Sequence, residues 1–370
     1  MAKAVYVGVN SKARKMKKAY IGIGGKARKV KKMYIGVGGK ARLCYSAELE
    51  KVGMATALST TRYDMRAATV GKYALFAGGY ISKSSFGYSV SSSVDAYNTS
   101  LTKSTPTELS CKRCGHAAAS VGGYALFAGG ASSHNFLGYS NLVSSVDAYD
   151  ASLTRSAAHI IGATVAIGGA AVGNYALFAG GTVYSQINED NVTSDVLAYD
   201  PSLTFTTAPW LSVARANVKG ASAGNYALFA GGRADGFCTT VDAYNASLTR
   251  TTATALSSTK NNSAAATVRN HAIFVGNTAS ADIYDASLTK TSAAILSTAR
   301  TGLAATTVGD YAIFSGGGVA DFCDASLTRS SIGTSMTGYD MGAATIGDYA
   351  LFAGGHSGNT IYDSVEVYTA

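Results

Sequence analysis

Short apolar runs recur along most of the chain, and each is bounded by Gly, Asn, Asp or Ser. One run, YALFAGG or a close variant, begins at Tyr73, Tyr124, Tyr175, Tyr226, His271, Tyr311 and Tyr349. VDAYDASLT or a relative follows it each time, and a stretch of small residues such as AAATV precedes it. Runs this short, rich in aromatic and β-branched residues and separated by turn residues, predict β-strands.

The runs return every 38 to 51 residues, and each repeat contains several predicted strands. Periods of this length are typical of the blades of a β-propeller. Within one repeat, AAATV is the innermost strand, YALFAGG the second, VDAYD the third, and the stretch after SLT the outer one. Small residues suit inner strands, which are crowded and buried on both faces. The Asp or Asn before Ala-Ser-Leu predicts a turn stabilised by its own side chain.

The repeats resemble those of the kelch β-propeller family, in which a Gly pair is followed by a Tyr in the third strand. Both features are present in Gly78-Gly79 with Tyr97, Gly129-Gly130 with Tyr149, Gly180-Gly181 with Tyr199, and Gly231-Gly232 with Tyr244. The family's outer-strand Trp is missing from almost every repeat, and Cys323 replaces Tyr in repeat six. The resemblance covers about residues 47–370 and implies an all-β, seven-bladed, kelch-like propeller.

The last repeat ends without an outer strand, whereas AELEKVGMATALSTTR, a stretch of that character, precedes repeat one. We therefore expect residues 47–60 to pair with residues 361–370. Such pairing closes the ring and hides both open sheet edges. The predicted propeller domain is residues 47–370.

Residues 1–46 have a different period, with a Tyr every 14 residues. Each unit places Asn-Ser or Gly-Gly between a β-branched run and a basic run, which predicts a β-hairpin with a two-residue turn. Pairing Ile23 with Lys26 sets Ile21 opposite Arg28 and Tyr20 opposite Lys29. So small a meander gains stability by self-association or by docking on a partner. The predicted anchoring residues are Tyr6, Tyr20, Tyr34, Lys29 and Arg28.

Apolar residues make up 47% of the chain and charged residues 14%, a composition that excludes a disordered protein. Residues 1–46 contain ten Lys and three Arg but no Asp or Glu, whereas the rest of the chain has a net charge of −4. This change marks a domain boundary near Ser46. A basic segment of this kind can bind nucleic acid or an anionic wall polymer. We favour an anchoring or oligomerisation module instead, in a protein that forms a homo-oligomer.

The loops between second and third strands differ most in length and are longest in repeats one to three. We expect them to share one face with the outer-to-inner connections and to form the binding face. Aromatic residues beside Asn, Ser and Arg suit a glycan or a protein surface. The predicted ligand-binding residues are Phe86, Tyr88, His134, Phe136, Tyr139, Tyr184, Asn188, Arg62, Arg113 and Arg215. In the alternative interpretation, FGYS and LGYS form hairpin extensions that pack on themselves.

The other candidate chemistries are weak. Cys111 and Cys114 form a lone CxxC without the further ligands of a structural zinc site, and the five His are dispersed. Residues 188–191 offer oxygen atoms to calcium, but their spacing fits no known loop. No phosphate loop or nucleophile elbow occurs, and inner strands of Ala, Ser, Thr and Val argue against an enzyme. We expect no metal and no cofactor.

No apolar run follows the first basic residues, which predicts no secretory signal. Residues 156–188 lack charge but are interrupted by glycines, which argues against a membrane helix. We expect a protein that is made in the bacterial cytoplasm, keeps its thiols reduced and does not insert into membranes.

Basic hairpin units joined to a kelch-like propeller are similar to proteins encoded by phages and prophages of Gram-positive bacteria. The resemblance implies a tail or virion protein in which residues 1–46 bind other subunits. We expect it to be non-enzymatic and to bind a host-surface glycan or protein through the propeller loops. The alternatives are a structural decoration or assembly hub without a ligand, and a kelch-type enzyme like the copper oxidases or sialic-acid mutarotases of that fold.

Overall fold

The computed structural model describes residues 6–9, 12–15, 19–23, 26–30, 32–37, 40–46, 48–84, 87–135, 138–184, 191–260 and 263–370. Within these ranges the regular secondary structure is entirely β. The described part of the chain has no helix that is long and apolar enough to cross a membrane.

The N-terminal segment forms antiparallel pairs of strands. They are β1 (Tyr6–Val9) with β2 (Lys12–Lys15), β3 (Tyr20–Ile23) with β4 (Lys26–Lys29), and β5 (Lys32–Val37) with β6 (Lys40–Ser46). In the second pair Ile23 lies opposite Lys26, Ile21 opposite Arg28, and Tyr20 opposite Lys29.

The repeats form small antiparallel sheets of four strands. After β7 (Glu50–Ala55), repeat one contains β8 (Arg66–Val70), β9 (Tyr73–Ala77), β10 (Tyr80–Ser84), β11 (Gly87–Val90), β12 (Val94–Asn98) and β13 (Lys103–Ser104). Repeat two contains β14 (Ala117–Val121), β15 (Tyr124–Ala128), β16 (Ala131–Asn135), β17 (Gly138–Leu142), β18 (Val146–Asp150) and β19 (Arg155–Ala157). Repeat three contains β20 (Gly168–Val172), β21 (Tyr175–Ala179), β22 (Val196–Tyr199) and β23 (Phe205–Ala208).

The later repeats have the same order of strands. Repeat four contains β24 (Lys219–Ala223), β25 (Tyr226–Ala230), β26 (Val241–Asn245) and β27 (Arg250–Ala253). Repeat five contains β28 (Ala264–Val268), β29 (His271–Val275), β30 (Ser280–Tyr284) and β31 (Lys290–Ala294). Repeat six contains β32 (Ala304–Val308), β33 (Tyr311–Gly316), β34 (Val319–Asp324) and β35 (Arg329–Gly333). Repeat seven contains β36 (Gly342–Ile346), β37 (Tyr349–Ala353), β38 (His356–Ser357), β39 (Thr360–Ile361) and β40 (Val365–Thr369).

The last sheet takes its outer strand from the other end of the repeats. β40 pairs with β7, so that Val365 lies opposite Ala55 and Thr369 opposite Glu50. The first strand of each sheet contacts the first strand of the next, and β36 contacts β8. This succession of small antiparallel sheets is compatible with a β-propeller.

Hydroxyl groups tie neighbouring first strands together. The Ser120 hydroxyl of β14 donates to the Thr69 carbonyl of β8 over 2.7 Å, and the Thr267 hydroxyl of β28 donates to the Ser222 carbonyl of β24 over 3.1 Å. Small side chains let the first strands approach closely, so that the hydroxyl of a Ser or Thr reaches the backbone of the neighbouring sheet. The Ser and Thr among the small residues of these strands thus have a structural use.

In repeats one to five, the third strand is anchored to the preceding outer strand or connection through a Tyr. Tyr149 is fully buried, and its hydroxyl donates to the Thr107 carbonyl over 2.8 Å. The equivalent donors and acceptors are Tyr97 to Thr56, Tyr199 to His159, Tyr244 to Pro209, and Tyr284 to Thr254. A buried Tyr needs such a partner for its hydroxyl, which explains why the position recurs.

A buried carboxylate next to this Tyr joins three parts of the chain. In repeat two, Asp147 binds Arg113 of the incoming connection over 2.7 Å and Arg155 of the outer strand over 2.9 Å. It also accepts a hydrogen bond from the Ser110 backbone N–H. Arg113 and Asp147 are almost completely buried, so each needs the other to offset its desolvation. The same arrangement recurs around Asp95, Asp242, Asp282 and Asp321.

Repeat three lacks all three charges at once. Thr164, Leu197 and Phe205 stand where repeat two has Arg113, Asp147 and Arg155. A lone charge left at any of these positions would be buried without a partner, which is far more costly than removing the whole group. The joint replacement indicates that the carboxylate and its cations depend on one another. Repeat seven shows that one cation suffices, since Glu366 is paired with Lys51 and Gly338 takes the place of the connection's Arg.

We predict that Arg113→Met, which leaves Asp147 with one cation, lowers the free energy of unfolding by about 3–5 kcal/mol. The triple variant Arg113→Thr, Asp147→Leu, Arg155→Phe copies repeat three. It should lose less stability than Arg113→Met, because no unpaired charge remains. Urea denaturation of the full chain measures both. A triple variant less stable than Arg113→Met would contradict the interpretation.

Candidate functional site

The long loops and the incoming connections meet at one end of the sheets. Short antiparallel bridges join them: Tyr63 with Tyr80, Cys114 with Ala131, Val165 with Thr182, Ala216 with Arg233, and Tyr339 with His356. Each bridge directly follows a strand-ending Gly pair or its equivalent. We call this end of the sheets the loop face.

Over repeats one and two the loops form a sheet of their own. Its strand order is β10-β11-β16-β17, and Tyr88 lies opposite His134 where the two hairpins meet. The His134 ring is stacked between Tyr88, at 4.6 Å between ring centroids, and Tyr139, at 4.4 Å. Three predicted binding residues therefore come together, but they pack against one another, as the structural alternative supposed.

Two further Tyr rings and a second His extend this aromatic stack towards repeat seven. Tyr80 lies 5.1 Å from Tyr88 between ring centroids, and its hydroxyl is 2.6 Å from Nδ1 of His134. Tyr63 then links Tyr80, at 5.0 Å, to His356 of repeat seven, at 4.5 Å. Burial raises the pKa of the Tyr80 hydroxyl above its ordinary value and lowers that of His134. This aromatic cluster, formed by Tyr63, Tyr80, Tyr88, His134, Tyr139 and His356, is a rigid wall on the loop face.

Next to the cluster, the connections turn at one equivalent position with a positive φ. The residues there are Asp64, Gly115, Ala166, Asn217, Gly302 and Asp340. The Asp64 N–H donates to the Asp340 carbonyl over 2.6 Å, and the Asp340 N–H donates to the Gly302 carbonyl over 2.7 Å. Asn217 and Ala166 are joined in the same way. Gly, Asn and Asp adopt this conformation most readily, so the position is suited to short polar side chains.

These turns surround a cavity of about 280 Å³, which we call the central pocket. Its lining includes Tyr63, Asp64, Arg66, Tyr139, Asn217, Lys219 and Asp340. A second cavity of about 210 Å³ adjoins it, and Arg66 and Lys219 line both. The pocket thus collects charged groups from repeats that are distant in sequence.

Most of the charges in the central pocket are paired. Asp64 accepts a hydrogen bond from Nη1 of Arg66 over 2.7 Å, and Oδ2 of Asp340 lies 3.2 Å from Nε2 of His356. Arg66 also donates from Nε to the His116 carbonyl over 2.9 Å. Lys219 has no hydrogen-bond or ion-pair partner in the part of the chain that the structure describes.

The close charges shift one another's ionisation. Burial raises the pKa of Asp340, and the negative charge of Asp64 adds to this effect, whereas His356 and Lys219 oppose it. Burial lowers the pKa of Lys219, and the positive charge of Arg66 lowers it further. Burial alone would lower the pKa of Arg66, but Asp64 outweighs it and raises that pKa. Perturbed groups that converge in a cavity are typical of functional sites.

The three predicted Arg residues are not part of this surface. Arg62, Arg113 and Arg215 are each 0% exposed, and their guanidinium groups bind buried carboxylates within the sheets. Their placement corrects the expectation that they line the loop face. Phe86, Phe136 and Asn188 lie outside the described residues, as do the side chains of Tyr6, Tyr20, Tyr34, Lys29 and Arg28.

Exposed aromatic rings instead occupy the loop face of repeats three and four. Tyr184, one of the predicted ligand-binding residues, is 61% exposed, and Trp210 is 69% exposed on the next connection. Phe237, 44% exposed, lies beneath the guanidinium of Arg233 at 5.7 Å. These rings are available to a partner, whereas those of the aromatic cluster are mostly used by their neighbours.

Sequence reasoning missed the charged part of the pocket. A signal existed, because Tyr-Asp-Met occurs at 63–65 and again at 339–341, just before the first strands of repeats one and seven. Asp64 and Asp340 become neighbours only when repeat seven meets repeat one. Among the described residues, no group of three or more His, Cys, Asp or Glu could hold a metal ion.

Comparison of the sequence with models of known protein families gives no match, and neither does comparison with curated proteins. The likeness to kelch repeats and to phage proteins therefore rests on the motifs of the sequence itself.

We predict that Asp64→Asn lowers the pKa of Asp340, because it removes the negative charge that opposes ionisation of that carboxyl. Burial remains, so the pKa should stay above the ordinary Asp value. His356→Ala should act in the opposite direction by removing a group that favours the carboxylate. Carboxyl ¹³C NMR titration of the full chain measures both shifts, and an unchanged Asp340 titration in Asp64→Asn would show that the two groups are not coupled.

Proposed function

We propose that this protein is a non-enzymatic, tail- or virion-associated binding protein of a phage or prophage. Its repeats would form a seven-bladed propeller that contacts a host-surface glycan or protein through the loop face. Residues 1–46 would anchor it to other subunits of the particle. The observation that carries the proposal is the loop face, which has both a charged central pocket and exposed aromatic rings.

The two ends of the sheets differ in a way that supports this assignment. At the end opposite the loop face, the chain reverses in short turns, and in several of them an Asp side chain accepts hydrogen bonds from its own backbone. Asp150 Oδ1, for example, binds the N–H groups of Ser152 and Thr154 over 2.8 and 2.9 Å. Such turns are self-contained and repeat with little change. Long, variable loops on a regular scaffold are where repeat proteins carry their binding surface.

Two alternatives are each favoured by an observation. The stacking of His134 between Tyr88 and Tyr139 favours a structural decoration without a ligand, because these rings already have partners. The convergence of Asp64, Asp340 and Lys219 in one cavity favours an enzyme, since catalytic groups need such convergence. Fold alone does not decide between these functions.

Labelled full-length protein should bind at least one strain in a panel of Gram-positive bacteria at both low and moderate salt. We predict that Tyr184→Ala combined with Trp210→Ala weakens this binding at least about tenfold, because large exposed aromatic residues dominate binding surfaces. Asn225→Ala is the matched control, since Asn225 lies in the exposed turn between β24 and β25, at the opposite end.

Binding that disappears at moderate salt would point to the basic N-terminal segment acting as a polycation, and would contradict the proposal. An equal loss of cell binding in Asn225→Ala would also contradict the proposal. A double variant that binds as well as the wild type would remove repeats three and four from the binding surface.

A further inference from the structure

Lys219 is the cation of the central pocket that lacks a direct contact partner. Arg66 is paired with Asp64 at 2.7 Å, and Asp340 lies 3.2 Å from His356, whose ring is charged only when protonated. Lys219 comes from repeat four, and among the described residues it has no ion-pair partner. An ammonium held without a partner in a partly enclosed cavity is poorly solvated, and an anionic group from a ligand would stabilise it.

The rest of the pocket offers hydrogen-bond acceptors. Asp64 and Asp340 present carboxylate oxygens. Asn217, at the equivalent positive-φ position of repeat four, adds a side-chain amide. Carboxylates accept hydrogen bonds and cannot donate them when ionised. Their natural complements are neutral O–H or N–H groups, because a second anion close to them would be repelled.

The wall beside these groups is aromatic. Tyr139 lines the pocket, and its ring is fixed by stacking on His134 at 4.4 Å. The cavity of about 280 Å³ lies just below the range of about 300–1,000 Å³ that holds drug-sized ligands. It is suited to a single compact ring with polar edges.

We propose that the central pocket binds an acidic sugar ring, with its carboxylate on Lys219 and its hydroxyls on Asp64 and Asp340. This inference rests on the proposed function, because it names the chemical class that the loop face recognises. An acidic peptide fits the pocket less well, because a cavity of about 280 Å³ beside the Tyr139 ring suits one compact ring better than an extended chain.

Calorimetric titration of the full chain tests the proposal. The probes are the methyl glycosides of glucuronate, galacturonate and mannuronate, and the corresponding neutral methyl hexosides serve as matched ligands. At least one uronate should bind, and its neutral counterpart should bind at least about tenfold more weakly. A Glu-rich peptide is the competing ligand class.

Lys219→Met removes the charge but keeps an unbranched side chain of similar length, and it should weaken uronate binding about tenfold to a hundredfold. Lys219→Arg restores a cation and should recover most of the affinity. Lys72→Met is the control, because Lys72 is an exposed cation in the turn between β8 and β9, at the opposite end. Unchanged thermal unfolding in Lys219→Met, or rescue by Lys219→Arg, separates a binding effect from misfolding.

The proposal is overturned if no uronate binds, if neutral hexosides bind equally, if Lys219→Met binds as the wild type does, or if only the peptide binds. The proposed function is judged separately by cell binding. If Lys219→Met binds bacteria as well as the wild type does, and uronates do not compete with that binding, the proposed function stands and this inference is wrong. If uronates bind but the protein binds no bacteria, the proposed function is wrong and the pocket's ligand class stands.

Discussion

The structure depends on a carboxylate that is buried between two cations. In repeat two, Asp147 is held by Arg113 from the incoming connection and by Arg155 from the outer strand. Burying an ion is costly unless its partners go with it, so this carboxylate fixes where the connection must lie. Arg113 also donates to the carbonyls of Gly129 and Ser145, which binds the connection to both ends of the long loop. The loop face is therefore built on backbone that the interior charges hold in place.

The connection that this carboxylate holds also carries surface chemistry. The residue two positions after the Arg sits at the positive-φ turn beside the central pocket, as Asp64 does after Arg62. Repeat three shows that the anchor can be apolar, since Thr164, Leu197 and Phe205 replace its charges. Ala166 there still adopts the same turn, and its N–H donates to the Gly115 carbonyl. The turn geometry thus belongs to the repeat, while the side chain on it is free to vary.

Much of the fold could be predicted from the sequence, because a period and its turn residues are local signals. The strands around YALFAGG and the all-β architecture of small sheets follow directly from them. The candidate site was harder to predict from the sequence. Arg62, Arg113 and Arg215 lie in the right connections, but the sequence of one connection does not show whether a guanidinium is buried. Their carboxylate partners are 27 to 34 residues away, and only comparison of repeat three with the others reveals that the charges belong together.

The loop face has two parts whose physical character differs. The aromatic cluster is fixed by stacking and by the contact between Tyr80 and His134, so it presents a shape that changes little when a partner arrives. The rings of Tyr184 and Trp210 are mostly exposed and can adjust to a partner. The central pocket lies on the rigid side, where the turn backbone and the contacts of Asp64 with Arg66 and of Asp340 with His356 fix most of its charged groups before any ligand enters. Preorganised charges bind with a smaller ordering cost, so selectivity should come from the pocket, and the exposed rings should add contact area.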